Sequence, residues 1–328
     1  MMEHRVLGRT GFDLSVIGFG AWGIGAGQWI GATDVQSAAA LRTAMEHGCN
    51  FIDTALVYGD GHSEELIAKF LSGESRRVTV ATKVPPHNML WPARRYVPLR
   101  DVFPLEHIRA SLATSTRNLG GRRPDLLQLH VWRDEWLDEK EWPATAKLIE
   151  QLLATNAIGA FGISINDHEP QSALKVLRQC ALVSSVQVIY NVFDQSPERE
   201  LFPLCQERNI GVIARVPLDE GGLTGNIKAG ATFGADDFRA QYFKGDRPAE
   251  LQPKVDALRP LLTEEAATMV EGALRFCISH PAVTTVIPGM RTPEHAAANC
   301  AAGDGRHLTA GLLKRLKAHA WPRNWYPE

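Results

Sequence analysis

The sequence predicts an α/β fold, a closed (β/α)8 TIM barrel, on three observations: eight short strand-like runs, amphipathic helical stretches between them, and no composition break at mid-chain. Alternating strands and helices call for a parallel sheet, and eight such units close on themselves and leave no edge exposed. The unbroken composition predicts one domain over residues 1–328.

The opening, RVLGRTGFDLSVIGFG, has two apolar runs around Gly8 and Gly11, which read as an N-terminal β-hairpin leading into the first barrel strand at about residues 16–20. Strand-like runs recur at residues 49–55, 78–83, 125–130, 158–164, 185–191, 211–217 and 283–289. Helical patterns fall at 34–47, 63–71, 105–119, 142–154, 170–180, 198–208, 264–279 and 293–302, with a further one at 309–319. Ser63 before Glu64 and Glu65 reads as a helix cap with negative first-turn charge, and Thr292 before Pro293 as a cap next to a ring preset for helical φ. Two connections exceed the usual few residues, 84–103 after strand three and 218–260 after strand seven, and both read as extended loops on the C-terminal face. The aromatic end, HAWPRNWYPE, either folds back across that face or packs on the outer helices.

Composition narrows the function classes. Lys and Arg total 35 against 37 Asp and Glu, a formal charge of -2, so there is no overall electrostatic case for nucleic acid or an anionic membrane. Cys49, Cys180, Cys205, Cys277 and Cys300 are scattered without CxxC spacing, which fits buried thiols in a reducing compartment and a cytoplasmic location. The start has no apolar signal region, and no run reaches the ~20 apolar residues of a membrane span.

Asp53, Tyr58, Lys83 and His130 fall at or just beyond the ends of the second, third and fourth runs. In a closed barrel those ends meet on one face, where catalytic groups concentrate. A phenol with a free pKa of ~10 transfers protons near neutrality only with assistance. Lys83 supplies an ammonium that favours the phenolate, Asp53 neutralises and orients the lysine, and His130 hydrogen-bonds a substrate carbonyl. No second His or Cys stands at ligand spacing around them, so no metal is expected. Trp22, Trp29, Val57, Trp91 and Trp132 read as an aromatic and apolar pocket rim. Arg94, Arg95 and Arg133 lie near it in sequence, either turned inward to recognise a carboxylate or phosphate or outward in solvent.

The segments RVLGRTGFDLSVIGFGAWG, FIDTALVYGDGHSEELI, VTVATK, DLLQLH, GAFGIS, PLDEGGLTG and IPGMRTPEHAAAN, in this order over almost the whole chain, resemble the aldo-keto reductase family. The resemblance implies a nicotinamide dinucleotide extended across the C-terminal face and a catalytic tetrad of Asp53, Tyr58, Lys83 and His130. Hydride then passes from the nicotinamide C4 to a carbonyl carbon while Tyr58 protonates the alkoxide. It further implies that Ser164 and Gln187, with Asn166, hold the nicotinamide carboxamide, and that the loops Leu218 to Gly225 and Gly289 to Asn299 hold the pyrophosphate and adenosine phosphate. GFGAWG is not read as a dinucleotide fingerprint, on its glycine spacing and because the barrel places the cofactor by another route.

Two departures from the family pattern stand out. Arg215 occupies the position of an aromatic residue that stacks on nicotinamide, and either stacks there itself or pairs with Asp219 or Glu220. Gly289, Met290, Arg291 and His295 replace much of the usual grip on the 2′-phosphate of NADP, and Arg291 is able to restore it bidentately. NADP(H) is favoured over NAD(H). The resemblance implies a small-molecule carbonyl substrate such as an aldehyde, ketone, keto-sugar, or steroid-like or polyketide-like ketone. Two alternatives stay open: a redox-neutral lyase or isomerase using a bound nicotinamide cofactor, and a nucleotide-binding regulatory subunit. The oligomeric state is not legible in these segments.

Overall fold

The computed structural model of the chain describes residues 1–27 and 29–322. Two short strands, β1 (His4–Val6) and β2 (Asp13–Ser15), pair antiparallel around a 3-10 turn at Gly8–Thr10. Leu7 and Leu14 of this ribbon are fully buried and cluster with Phe51, Ala81, Leu126, Ala160 and Ile213, so the ribbon plugs the N-terminal end of the sheet that follows.

That sheet has eight parallel strands in sequence order: β3 (Phe19–Gly20), β4 (Phe51–Asp53), β5 (Thr79–Val84), β6 (Leu126–Leu129), β7 (Ala160–Ser164), β8 (Val183–Ile189), β9 (Gly211–Arg215) and β10 (Val283–Val286). It closes where the first strand meets the last. Gly18 N donates to Val286 O at 2.8 Å, Val286 N to Val16 O at 2.9 Å and Gly20 N to Pro288 O at 3.0 Å, with parallel bridges Ile17–Val286 and Gly20–Gly289. The result is a (β/α)8 barrel.

The seam depends on close approach. Gly18, Gly20 and Gly23 do have GxGxxG spacing, but Trp22–Ile24 forms a 3-10 turn rather than a long helix. Packing accounts for the spacing: a Cβ at Gly20 would lie 2.5 Å from Ile287 O and 2.9 Å from Pro288 O, both backbone atoms that cannot swing away. Gly20→Ala is therefore expected to destabilise the fold by about 2 kcal/mol. Chemical denaturation checks this, and an unchanged midpoint would contradict it.

The helices around the barrel are α1 (Asp34–Glu46), α2 (His62–Leu71), α3 (Leu99–Val102), α4 (Leu105–Asn118), α5 (Trp142–Ala154), α6 (Leu174–Gln179), α7 (Leu201–Glu207), α8 (Phe238–Tyr242), α9 (Arg247–Leu262), α10 (Met269–Ser279), α11 (Pro293–Ala301) and α12 (Ala310–Leu316). Their inner faces and the outer faces of the strands form the main apolar core. Thr33 caps α1 in a reciprocal box with Gln36, and Thr292 caps α11 by accepting from His295 N.

Several boundaries differ from the sequence expectation. Ser63 does not cap α2: Gly61 does, at φ 93, and the Ser63 hydroxyl instead bonds Thr54 Oγ1 and Ala21 O. A glycine at positive φ turns the chain there without steric cost. The pattern at 264–279 shortens to α10 because the Thr268 hydroxyl caps at Glu271 N. Residues 218–260 are not one extended loop. They hold a 3-10 turn at Asp219–Thr224, then α8, and most of the 16-residue α9, whose prolines at 248, 253 and 260 mask its helical pattern in sequence. At the tail, Trp321 packs edge-on to Phe193 and donates its backbone N–H to Phe193 O, with Arg247 and Lys254 over its ring; the remaining tail, 323–328, lies outside the described residues. Among the described residues no helix is long and apolar enough to cross a membrane.

Candidate active site

Strand register builds the site. Asp53 ends β4, Lys83 is the penultimate residue of β5, and His130 follows β6, so parallel pairing sets their side chains at one end of the barrel. Tyr58 arrives on the turn between β4 and α2, with its N–H bonded to Ala55 O. Gly59 allows Gly25 to pass: a Cβ there would lie 2.7 Å from the Gly25 carbonyl carbon.

Lys83 is completely buried and has three acceptors: Asp53 Oδ1 at 2.5 Å, Thr54 O at 2.8 Å and Tyr58 Oη at 3.4 Å. Its ammonium also lies 5.0 Å from the centre of the Tyr58 ring. Burial alone would lower the lysine pKa, but the charges of Asp53 and Tyr58 outweigh it, and the ammonium is held above its ordinary value. Burial raises the Tyr58 phenol above 10.0, and Lys83 offsets this only in part. The expected phenolate bias from the lysine is thus smaller than the cost of burying the anion. Burial, reinforced by the positive charges of Lys83 and Arg215, takes His130 well below the usual imidazole value, so its ring is neutral at pH 7. Its Nδ1 is buried without a hydrogen-bond partner among the described residues.

Aromatic rings surround this group. Trp22 stacks on Tyr58 with centroids 6.1 Å apart, and Trp29 and Phe238 meet Trp22 edge-on at 5.6 and 4.8 Å. On the other side Trp91 stands edge-on to His130 at 4.6 Å, and His130 to Tyr58 at 5.9 Å. Val57 is half-buried on the same turn as Tyr58. Trp132 does not belong to the rim. It is fully buried, donates Nε1–H to Asp134 and packs edge-on to Trp136 and Trp142, because the chain after His130 turns outward toward α5. Arg133 is likewise spent internally, donating to Ala93 O and Glu169, while Arg95 is exposed on a surface cavity of about 320 Å³ shared with Glu135, Asp138 and Lys175.

Among the residues expected to hold a cofactor, Ser164 ends β7 and is buried, opposite Gln187 of β8. Gln187 donates Nε2–H to Asp53 Oδ2 at 2.7 Å. Asn166 leaves that set: its oxygen accepts from Ala93 N and its amide N–H groups go to Ala93 O and Glu169, tying down the loop after β5. Arg215, at the end of β9, does not pair with Asp219 or Glu220. Its guanidinium donates to Ile165 O at 2.8 Å and to the Asp167 carboxylate, while Asp219 is taken by Arg247 and Tyr242. Burial and the charges of Asp167 and Asp219 push the half-buried Glu220 up to about 8.

The turn from Leu218 to Gly225 has Gly225 at φ 77, and the space a Cβ would need there is filled by the Arg259 guanidinium. Gly289 faces open space, and its carbonyl accepts from Asn299 at 3.4 Å. His295 is exposed. Arg291 reaches back to Ile30 O at 3.0 Å and lies 5.4 Å from the Trp29 ring, which also has the Arg239 guanidinium at 5.2 Å. Sequence reasoning missed Arg239 and Phe238, hidden in the segment after β9, and Gln128, whose amide reaches Asp53 from inside the barrel. The signal for Gln128 was a polar residue two before His130 at an inward strand position. Among the described residues no group of three or more His, Cys, Asp or Glu is arranged to hold a metal ion.

Comparison with known proteins bears on this arrangement. The chain is 29% identical over 300 residues to the aldo-keto reductase YhdN of Bacillus subtilis, covering 89% of this chain and 86% of that protein. It is 27% identical over 311 residues to an NADH-specific methylglyoxal reductase of Escherichia coli, covering 92% and 93%. A solved aldo-keto reductase from Klebsiella pneumoniae in complex with NADPH matches with a TM-score of 0.71 at 25% identity, covering 98% of this chain and 97% of that one. The model of the Aldo/keto reductase family matches residues 16–320, nearly the full barrel, and the chain therefore belongs to the aldo/keto reductase family of NAD(P)H-dependent oxidoreductases.

Proposed function

We propose that the protein reduces the carbonyl of a small aldehyde, ketone or keto-sugar to an alcohol with NADPH as hydride donor and Tyr58 as proton donor. The observation that carries this reading is the hydrogen-bonded chain from the buried Asp53–Lys83 pair to the half-buried Tyr58, with a neutral His130 beside the phenol. The nicotinamide supplies the hydride when bound, and the rest is the protein's work.

Tyr58 stays protonated through the neutral range because its phenol is held above its ordinary value. Lys83, anchored by Asp53, stabilises the phenolate left after proton transfer. His130 offers an uncharged N–H to the substrate oxygen, which stabilises its developing charge without competing as the acid. Trp22 and Trp91 flank this point and suit an apolar or ring-bearing substrate, and they exclude water from the transfer. Ser164, the last residue of β7, and Gln187, opposite it on β8, would orient the nicotinamide carboxamide. Arg215, already held by Asp167, brings positive charge toward Tyr58 and His130 in place of a neutral ring.

Preference for NADP(H) rests on Arg291. Burial and the nearby Arg239 both disfavour its charge, and Asp237, which holds Arg239 through both carboxylate oxygens, offsets them only in part, so an anion placed against Arg291 relieves the remaining cost. Arg291→Met is expected to raise the Kd for NADPH at least ~10-fold and to leave that for NADH within about twofold. Fluorescence titration with both cofactors checks this; an equal loss for the two would remove Arg291 from 2′-phosphate recognition. The function itself is tested by following NADPH absorbance against a panel of aldehydes, ketones and keto-sugars. Consumption matched by alcohol formation supports the reading. Product formation without net cofactor change would replace it with the redox-neutral one.

A further inference from the structure

Asp53 receives more hydrogen bonds than its ion pair with Lys83 requires. Oδ1 accepts from Lys83, while Oδ2 accepts from two primary amides, Gln187 Nε2 at 2.7 Å and Gln128 Nε2 at 3.4 Å. The two glutamines are 1% and 0% exposed. A barrel interior is ordinarily filled by branched apolar side chains, and burying an amide costs free energy wherever one of its groups stays unpaired. Gln128 carries such a group: its Oε1 is buried with no partner among the described residues. A hydrocarbon side chain would avoid that cost, so what distinguishes Gln128 is the N–H it directs at Asp53.

Register explains how both amides reach one carboxylate. Gln128 lies directly across from Lys83 on the neighbouring strand, and the next strand has Gly162 at that level. Without a Cβ, Gly162 leaves the interior open there, and the Ser185 hydroxyl of the following strand occupies part of that space. Gln187 reaches Asp53 from two residues further along that same strand.

We propose that Gln128 is a positioning residue for the proton donor, forming with Gln187 an amide clamp on Oδ2 of Asp53. The inference rests on the function proposed above, in which Gln187 also faces the nicotinamide carboxamide. One of its N–H groups holds Asp53, and its remaining groups serve the cofactor. If the cofactor turns Gln187, Gln128 keeps the carboxylate facing Lys83, and through Lys83 sets the phenol of Tyr58.

The test uses Gln128→Met, which preserves volume and removes the amide, with Gln187→Met and the double substitution. Gln128→Met is expected to lower kcat about tenfold, to displace the basic limb of the kcat pH profile, and to leave the Kd for NADPH within about twofold. The double substitution is expected to lower kcat at least about fivefold beyond the product of the single effects, because Oδ2 then has no amide at all. An unmoved kcat and pH profile in Gln128→Met, or a purely multiplicative double, would overturn the clamp. A second readout needs no turnover. Gln128→Met is expected to lower the denaturation midpoint of the natural protein relative to its effect in a protein already carrying Asp53→Leu and Lys83→Met, where no side-chain oxygen remains at position 53 to accept the N–H; equal shifts in both backgrounds would also overturn it. A natural protein that binds NADPH but reduces nothing would sink the function reading alone, since the denaturation comparison still decides the clamp.

Discussion

Tyr58→Phe is expected to lower carbonyl reduction at least ~100-fold while NADPH affinity and the folding midpoint change little. Among the described residues the phenol oxygen is the one proton-bearing atom that touches Lys83, and its ring lies between the Trp22 face and His130. Phenylalanine keeps the ring stacked on Trp22 and removes only that oxygen, so the packing contribution survives. Because burial holds the phenol above 10.0, the natural protein retains its donor proton throughout the neutral range. Steady-state kinetics on any accepted carbonyl, with cofactor titration alongside, decides the matter. Near-natural turnover in Tyr58→Phe would remove the tyrosine from the chemistry.

Lys83→Met combines a stability effect with a catalytic one. Lys83 and Asp53 are 0% and 2% exposed, and among the described residues removal of the ammonium leaves a buried carboxylate with only the two amides for partners. Breaking a buried pair in this way costs about 3–5 kcal/mol, so the single variant should unfold at markedly lower denaturant. Adding Asp53→Asn removes the stranded charge and should restore most of the midpoint. Turnover should not return with it: both variants are expected to fall at least ~1000-fold, because the phenolate left by proton transfer has lost its counter-charge. Recovery of activity together with stability would mean that the lysine serves the fold alone.

The barrel was legible because its signal is repeated. Eight strand-like runs separated by helical patterns define the architecture even where single boundaries slip, as at β4, which spans only Phe51–Asp53. Asp53, Lys83 and His130 were readable for the same reason, since a strand end in a closed barrel is a position on one face. What escaped were features fixed by packing between distant segments. Helix α9 carries three prolines, which read as breaks in the sequence, although Leu251, Val255, Leu258 and Leu262 stand at i, i+4, i+7 and i+11 and bury one face against the core. Trp132 is chemically suited to a pocket wall, but its direction is set by Trp136 and Trp142, which linear spacing does not reveal. The partner of Arg215 follows the same rule: Asp219 and Glu220 are closer in sequence, yet Arg247 and Tyr242 claim Asp219, and Asp167 comes across from the end of a different strand.

In the proposed reaction a hydride from the bound nicotinamide reaches the carbonyl carbon while the Asp53–Lys83–Tyr58 assembly delivers the proton. The most direct measurement is a single turnover with NADPH deuterated at the transferable C4 position, with the alcohol product read by mass spectrometry in natural protein and in Tyr58→Phe. The account predicts one deuterium on the carbinol carbon with the natural protein and a rate at least ~100-fold lower with the variant. Product without deuterium, or deuterium transfer at the same rate in both proteins, would contradict it.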